Sequence, residues 1–318
     1  MHRSLLAAPL AAALLLPAAA GASTVSSAPT SGIDLTTFQA GPGPSNATLT
    51  ANNAWTDSAQ TLTAGANCTD DGAGTVSCPP TSDVEVYLRN AADTFTNTFY
   101  WYKLAVHGGG GADRLSGNGS ATEIWGDGGP DRIDVRSNGT ATGHGGTGAD
   151  EIRGNFPQGN GAAIDGGDGA DLLVGNSNND KTVNGDAGQD QLFEIRGVSG
   201  TLDGGANADT LVRIGTSFIA GTITLNGGDG PDTIQGAKGK DVVSGGKGAD
   251  VIAVSGDTSV DEVSCGGGVD TVYADATDVV ASDCESVTIG AAPALPAVDA
   301  AKAHLAAAFP DTPQTPSP

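Results

Sequence analysis

The sequence predicts an all-β protein built from a short repeat, and three observations predict it. Residues Gly227 to Ala253 read GGDGPDTIQ, GAKGKDVVS and GGKGADVIA, three nine-residue units in a row. Each unit carries small residues in its first half, an aspartate at position 6 (Asp232, Asp241, Asp250) and an apolar residue at position 8 (Ile234, Val243, Ile252). The composition agrees. Glycine makes up 49 of 318 residues and aromatics only 4%, so a conventional core of large side chains is not available. Such a chain needs a repetitive architecture or bound ions to hold it together.

The net charge of −23, from 37 acidic against 14 basic residues, limits the partners. No basic stripe is available to neutralise phosphates, which argues against nucleic acid and against an anionic membrane surface. Metal ligation is the specific use for so many carboxylates, beyond solubility.

In chain order, residues 1–22 read as a signal peptide. His2 and Arg3 precede an apolar run from Leu5 to Leu16 that is too short to span a bilayer. Pro17 and the Ala18-Ala19-Ala20 site follow, so cleavage is expected near Ala20 or Ala22. No second hydrophobic span follows, and the expected location is secreted, extracellular or surface-associated. Four cysteines suit an oxidising location and allow three pairings. The local one, Cys68 with Cys78 and Cys265 with Cys284, is the simplest, each bridge contributing about 2–3 kcal/mol.

Residues 23–50 are rich in Ser, Thr, Pro and Gly and read as a flexible lead-in. Residues 51–107 read as a small β cap, because TVSC, DVEVYL and YKLAV alternate apolar and polar positions. Asp93-Thr94-Phe95 resembles the end of a nonapeptide, so 84–106 reads as a decayed first coil that has lost its glycines and its ion. The Phe99-Tyr100-Trp101-Tyr102 cluster has two readings, a carbohydrate-stacking platform and an apolar cap over the open end of the array. The second is favoured.

The repeat fills 108–289. Its strongest copies start at 108, 126, 145, 166, 185, 204, 227, 245 and 265. Their position-6 residues are Asp113, Asp131, Asp150, Asp171, Asp190, Asp209, Asp232, Asp250 and Asp270, spaced by 18, 19, 21, 19, 19, 23, 18 and 20 residues. Every one is followed two residues later by an apolar residue, from Leu115 to Val272. Between them lie weaker half-repeats that mostly lack the aspartate. They keep a second apolar column, Val106, Ile124, Ile164, Val183, Leu202, Leu225, Val243 and Val263, with Gly143 as its gap. Aspartate survives on that side at Asp180, Asp241 and Asp261, and Asp180 is isolated. Residues 290–318 read as an Ala/Pro-rich disordered tail, within which Val298 to Phe309 suits a short amphipathic helix.

The pattern G-G-x-G-x-D-x-U-x, carried in full or nearly so by 108–273, resembles the RTX or haemolysin-type calcium-binding repeat family. The resemblance implies a calcium-binding parallel β-roll, a right-handed β-solenoid with two nonapeptides per coil. It further implies that the ligands are the position-6 aspartates with Asp241 and Asp261, joined by turn carbonyls. The turn glycines are Gly109, Gly111, Gly129, Gly146, Gly148, Gly167, Gly169, Gly188, Gly205, Gly228, Gly230, Gly239, Gly246, Gly248, Gly266 and Gly268. Calcium takes six to eight oxygens, and glycine allows the positive φ that such turns need. Nine aligned turns imply up to about eight ions on one side, with about one more between Asp241 and Asp261. Residues beyond 18 per coil are expected to bulge on the other side, and 227–253 to be the most ion-rich stretch. The copies depart from the pattern at Asp127, Asp186, Asn207, Pro130, Pro231 and Cys265.

The expected function is a secreted, non-enzymatic calcium-binding protein that folds on extracellular calcium and serves a structural or adhesive role. Calcium and cell-surface or matrix glycans are the expected partners. The alternative is an accessory module of a polysaccharide-acting or other secreted enzyme. No G-x-S-x-G or H-E-x-x-H occurs, and His107, His144 and His304 are scattered and read as surface residues.

Overall fold

The computed structural model describes residues 22–312 except 31–32, 51–52, 98, 100–101, 157–161, 178–180, 198 and 215–220. The signal-peptide reading, Asp180, Tyr100, Trp101 and the last six residues of the tail lie outside the described residues.

The chain winds as a parallel β-solenoid. Two sheets, of 14 and 15 strands among the described residues, face each other across a narrow core. Each coil contributes one strand to each sheet: Lys103–Gly110 then Arg114–Gly119, Ala121–Gly128 then Arg132–Ser137, and so on to Glu262–Gly267 then Thr271–Ala274. The apolar columns of the sequence are the registers of the structure. Val106, Ile124, Gly143, Ile164, Val183, Leu202, Leu225, Val243 and Val263 are successive partners in the first sheet. Leu115, Ile133, Ile152, Leu173, Leu192, Leu211, Ile234, Ile252 and Val272 are successive partners in the second. The side chains of both columns are buried, and each contributes about 1.5–3 kcal/mol. The gap at Gly143 is filled from across the core, since a Cβ there would stand 2.8 Å from Val135 Cγ2.

Three expectations about the flanks are corrected. Residues 23–50 are not a flexible lead-in. Ala22–Thr30, Ile33–Gln39 and Asn46–Thr50 are strands, and the latter two continue the stack by pairing in parallel with Asp83–Arg89 and Thr94–Asn97. Val25, Phe38, Ala47 and Leu49 alternate inward and are fully buried, and the alternation decides the structure despite the Ser/Thr/Pro-rich composition.

Of the Phe99–Tyr102 cluster, the described Tyr102 does not sit on the cap, and Tyr100 and Trp101 lie outside the described residues. Tyr102 is buried between coils and its hydroxyl donates to Asn97 Oδ1 at 3.1 Å. The cap is made where pairing turns antiparallel, at Ala22–Thr30 with Ile33–Gln39 and at Asn46–Thr50, Ala54–Asp57 and Thr75–Ser77. Phe38 stacks on Trp55 at 5.2 Å inside it, and the Cys68–Cys78 bridge ties its outer loop.

The tail is not disordered through its described part. The short helix expected over Val298 to Phe309 forms as Pro296–Ala308, started by Pro296 in its first turn. Val298, Ala301, Leu305, Ala308 and Phe309 pack on Leu172, Val174, Phe193, Ile195, Val212 and Ile214, which lie on the outer face of the second sheet. Arg132 and Arg153 lie over the Phe309 ring, and Arg153 bridges to Asp311 at 2.5 Å. The signal was the continuous apolar runs Leu172-Leu173-Val174 and Leu211-Val212, which mean a strand covered on both faces.

No helix of the described residues is long and apolar enough to cross a membrane. Cys265 and Cys284 are bridged, closing the last coil.

Candidate metal centre

One edge of the roll is formed by the turns that lead from the first sheet to the second. Each turn needs backbone conformations that L-residues resist. At Gly146 and Gly148, φ is +105° and +137°. A Cβ on either would overlap the carbonyl of the coil below, at Asp127 and Gly129. The departures hold the same conformation: φ is +70° at Asp127, +64° at Asp186 and +86° at Asn207, residue types that tolerate it. The decayed turn keeps it too, with Arg89 at +91° directly below Gly109.

These turns bring the nine position-6 aspartates into one column, and all nine are at most 2% exposed. Each backbone N–H donates to Oδ1 of the next aspartate at 2.7–2.9 Å, from Asp113 on Asp131 to Asp250 on Asp270. The ladder is longer than the sequence reading gave it. Asp93 joins at one end, since its N–H donates to Asp113 Oδ1 and its own Oδ1 accepts from Ser45. At the other end Asp270 N–H donates to Glu285 Oε2 at 3.0 Å. Glu285 was legible, because it stands two residues before Val287, as each aspartate stands before its apolar partner.

The second carboxylate oxygen is the functional feature. Oδ2 of Asp93, Asp113, Asp131, Asp150, Asp171, Asp190, Asp209, Asp232, Asp250 and Asp270 is buried without a hydrogen-bond partner in the protein. Burying a carboxylate oxygen unpaired is costly unless a cation or proton meets it. The oxygens face carbonyls of the next coil. A Cβ on Gly108 would stand 2.5 Å from Asp113 Oδ2 and 2.7 Å from the Gly126 carbonyl oxygen. The same convergence recurs at Gly126, Gly145, Gly166, Gly185, Gly204, Gly227 and Gly245, making eight shared oxygen cradles. The donors are hard oxygens only, which fits calcium rather than a transition metal.

Burial drives the carboxyl pKa values up. It holds Asp93 and Asp150 at about 6, Asp131, Asp171, Asp209 and Asp232 at about 7 and Asp190 at about 8, and it raises Asp113 and Asp250 as well. The backbone N–H on each Oδ1 opposes this shift without cancelling it.

The opposite edge is different. Asp241 and Asp261 do lie together there, Asp241 N–H donating to Asp261 Oδ1 at 2.7 Å, and Asp261 N–H to Asp278 Oδ1 at 3.1 Å. Asp261 Oδ2 is buried without a partner. Asp241 is a correction: its Oδ1 accepts from Arg213 Nη1 at 2.7 Å and its Oδ2 from the Ala237 N–H. The 227–253 stretch therefore lacks the open ligand oxygen on its second side that its sequence promised. Nothing in the repeat pattern announced Arg213, which comes from the preceding coil. The extra residues of the longer coils, expected to bulge on this side, fall largely outside the described residues, between strands Glu151–Phe156 and Ala162–Asp168 and between Thr210–Arg213 and Thr222–Asp229.

The histidines are not gathered into a site. His107 and His144 belong to a half-exposed ladder of rings on the first sheet, Tyr87–His107–Trp125–His144, with centroids 5.1, 4.4 and 5.7 Å apart. His304 sits against Gln191 and Glu151.

The family model for the RTX calcium-binding nonapeptide repeat (4 copies) matches residues 106–135, 163–192 and 224–252. No curated protein and no solved structure matches the chain.

Proposed function

We propose, from the premise that this chain carries RTX calcium-binding nonapeptide repeats wound into a β-roll, that it is a secreted, non-enzymatic protein whose roll folds when calcium enters the aspartate column. The observation that supports this reading is the row of buried, unpartnered Oδ2 atoms, each beside a carbonyl of the next coil. Without a cation, the folded roll must bury adjacent carboxylates or hold them protonated. With one, the binding free energy becomes folding free energy. The residues that would hold the ions are the position-6 aspartates and the first glycines of each turn. Bound calcium would supply charge neutralisation and cross-linking between coils.

Eight cradles on the main edge and one open oxygen at Asp261 favour about eight or nine ions. Calorimetric titration measures the number, and roughly twice as many would contradict the one-sided column. Circular dichroism in EGTA and in calcium tests the folding reading. Strand content should appear with calcium, and equal content in both states would sink the idea.

A second reading, adhesion to cell-surface or matrix glycans, is favoured by the half-exposed ring ladder around Trp125. Trp125→Ala should abolish retention on immobilised glycan while leaving the calcium-induced fold intact. Unchanged retention would remove this reading.

A further inference from the structure

The most deeply buried charges outside the main column form a line on the opposite edge. Lys181 Nζ lies 3.0 Å from Glu194 Oε1, Arg213 Nε 3.7 Å from Glu194 Oε2, and Arg213 Nη1 2.7 Å from Asp241 Oδ1. Their side chains are 1, 0, 2 and 0% exposed in that order. Glu194 and Arg213 are register partners in neighbouring strands, so the line runs along the stack as the aspartate ladder does.

The place that the guanidinium takes is informative. On the main edge, Oδ1 accepts from the aspartate one coil below and Oδ2 stays open. At Asp241, Oδ1 takes Arg213 Nη1, which also reaches the Gly239 carbonyl at 3.3 Å. Oδ2 takes the Ala237 N–H at 3.1 Å. A cation fixed to the chain thus occupies a carboxylate and a turn carbonyl of nonapeptide 236–244. Those are the two kinds of oxygen that a calcium ion would need there. One coil further on, Asp261 keeps a buried Oδ2 without a partner. Its neighbours are acidic, Asp278 accepting its N–H and Asp257 accepting the Gly239 N–H at 2.9 Å.

We propose that Arg213 is a resident cation that closes the second-edge turn at Asp241 to divalent metal, so that among the described residues this edge takes one ion only, at Asp261. The proposal rests on the calcium reading above and adds which residue sets the ion count. A guanidinium carries one fixed charge, so this turn needs no calcium ion of its own.

Metal analysis after dialysis against buffered calcium tests it in the full chain. Arg213→Met, which keeps length and loses charge, should bind one ion more than the parent, because it frees Asp241 Oδ1 and the Gly239 carbonyl. Asp261→Asn should bind one fewer. Asp241→Asn, which keeps an acceptor for Arg213, should bind the parental number. A parental count in Arg213→Met, or in Asp261→Asn, overturns the proposal, as does an ion lost in Asp241→Asn. Should Arg213→Met fail to fold, the two aspartate variants still decide the matter. A parent that binds no calcium would refute the calcium reading itself, whereas a calcium-loaded parent with unmoved variant counts refutes only this inference.

Discussion

The two edges of the roll solve one electrostatic problem in opposite ways. Both bring carboxylates of successive coils into a buried row. On the main edge the row is carboxylic throughout, and its open oxygens have neither a hydrogen-bond partner nor a cation of the chain beside them. On the second edge the chain brings its own, with Lys181 and Arg213 set against Glu194 and Asp241. The difference teaches what a repeat can vary. The main turns keep their shape, because most of their positive-φ glycines would set a Cβ against a carbonyl of the coil below, and the exceptions Asp127, Asp186 and Asn207 hold the same positive φ. The second edge keeps fewer of these glycines, and there Lys181 and Arg213 supply fixed cations beside its carboxylates.

The sharpest way to separate the edges is to damage each and vary calcium. Glu194→Gln removes the carboxylate that faces both buried cations. Breaking a buried pair by removing one partner costs about 3–5 kcal/mol. Urea unfolding in saturating calcium should show that loss, and it should not shrink or grow as calcium is changed. A loss below about 1 kcal/mol would mean that the second edge is not held by this network.

Asp171→Asn is the matching lesion on the main edge. The amide oxygen still accepts the Asp150 N–H, so the ladder survives and only the anionic Oδ2 is lost. Loss of one site costs about 2.7 kcal/mol when calcium stands at a hundred times its dissociation constant, and less as calcium falls. The destabilisation should therefore track calcium concentration, unlike that of Glu194→Gln. A cost independent of calcium would place Asp171 among structural carboxylates and erase the contrast between the edges.

Both apolar columns and the main aspartate column were legible in the sequence, because a repeat writes its register directly as spacing. Position 8 of each nonapeptide became a register partner of the next without exception from Leu115 to Val272. What failed lay where no copy could be compared with another. Residues 22–50 fold because Phe38, Ala47 and Leu49 alternate onto an existing stack, a weak signal beneath a linker-like composition. Helix 296–308 was legible as an amphipathic segment at Val298 to Phe309, but its docking was not, because the outer faces of Leu172, Phe193 and Val212 that receive it are a tertiary cause. Arg213 was invisible as a partner of Asp241 for the same reason: the contact spans 28 residues and obeys no period.

The smallest of these effects, and the most general across the column, is the response to pH. Burial lifts the folded pKa of Asp131, Asp171, Asp209 and Asp232 from the ordinary 3.8 to about 7. Because the folded value exceeds the unfolded one, protonation stabilises the metal-free roll. That contribution is complete below pH 3.8 and is lost as pH rises through about 7. Calcium needs the deprotonated oxygens, so its affinity must move the other way. Below pH 7 each unit of acidification should weaken a site up to about tenfold, or about 1.4 kcal/mol, and binding should release protons. Titrations at pH 6 and pH 8 in two buffers of different ionisation enthalpy measure both quantities. Equal affinity at the two pH values, with no protons released, would mean that the column is ionised before calcium arrives. Its open oxygens would then have to be matched by cations of the chain, as on the second edge, and the main edge has no counterpart of Arg213 among the described residues.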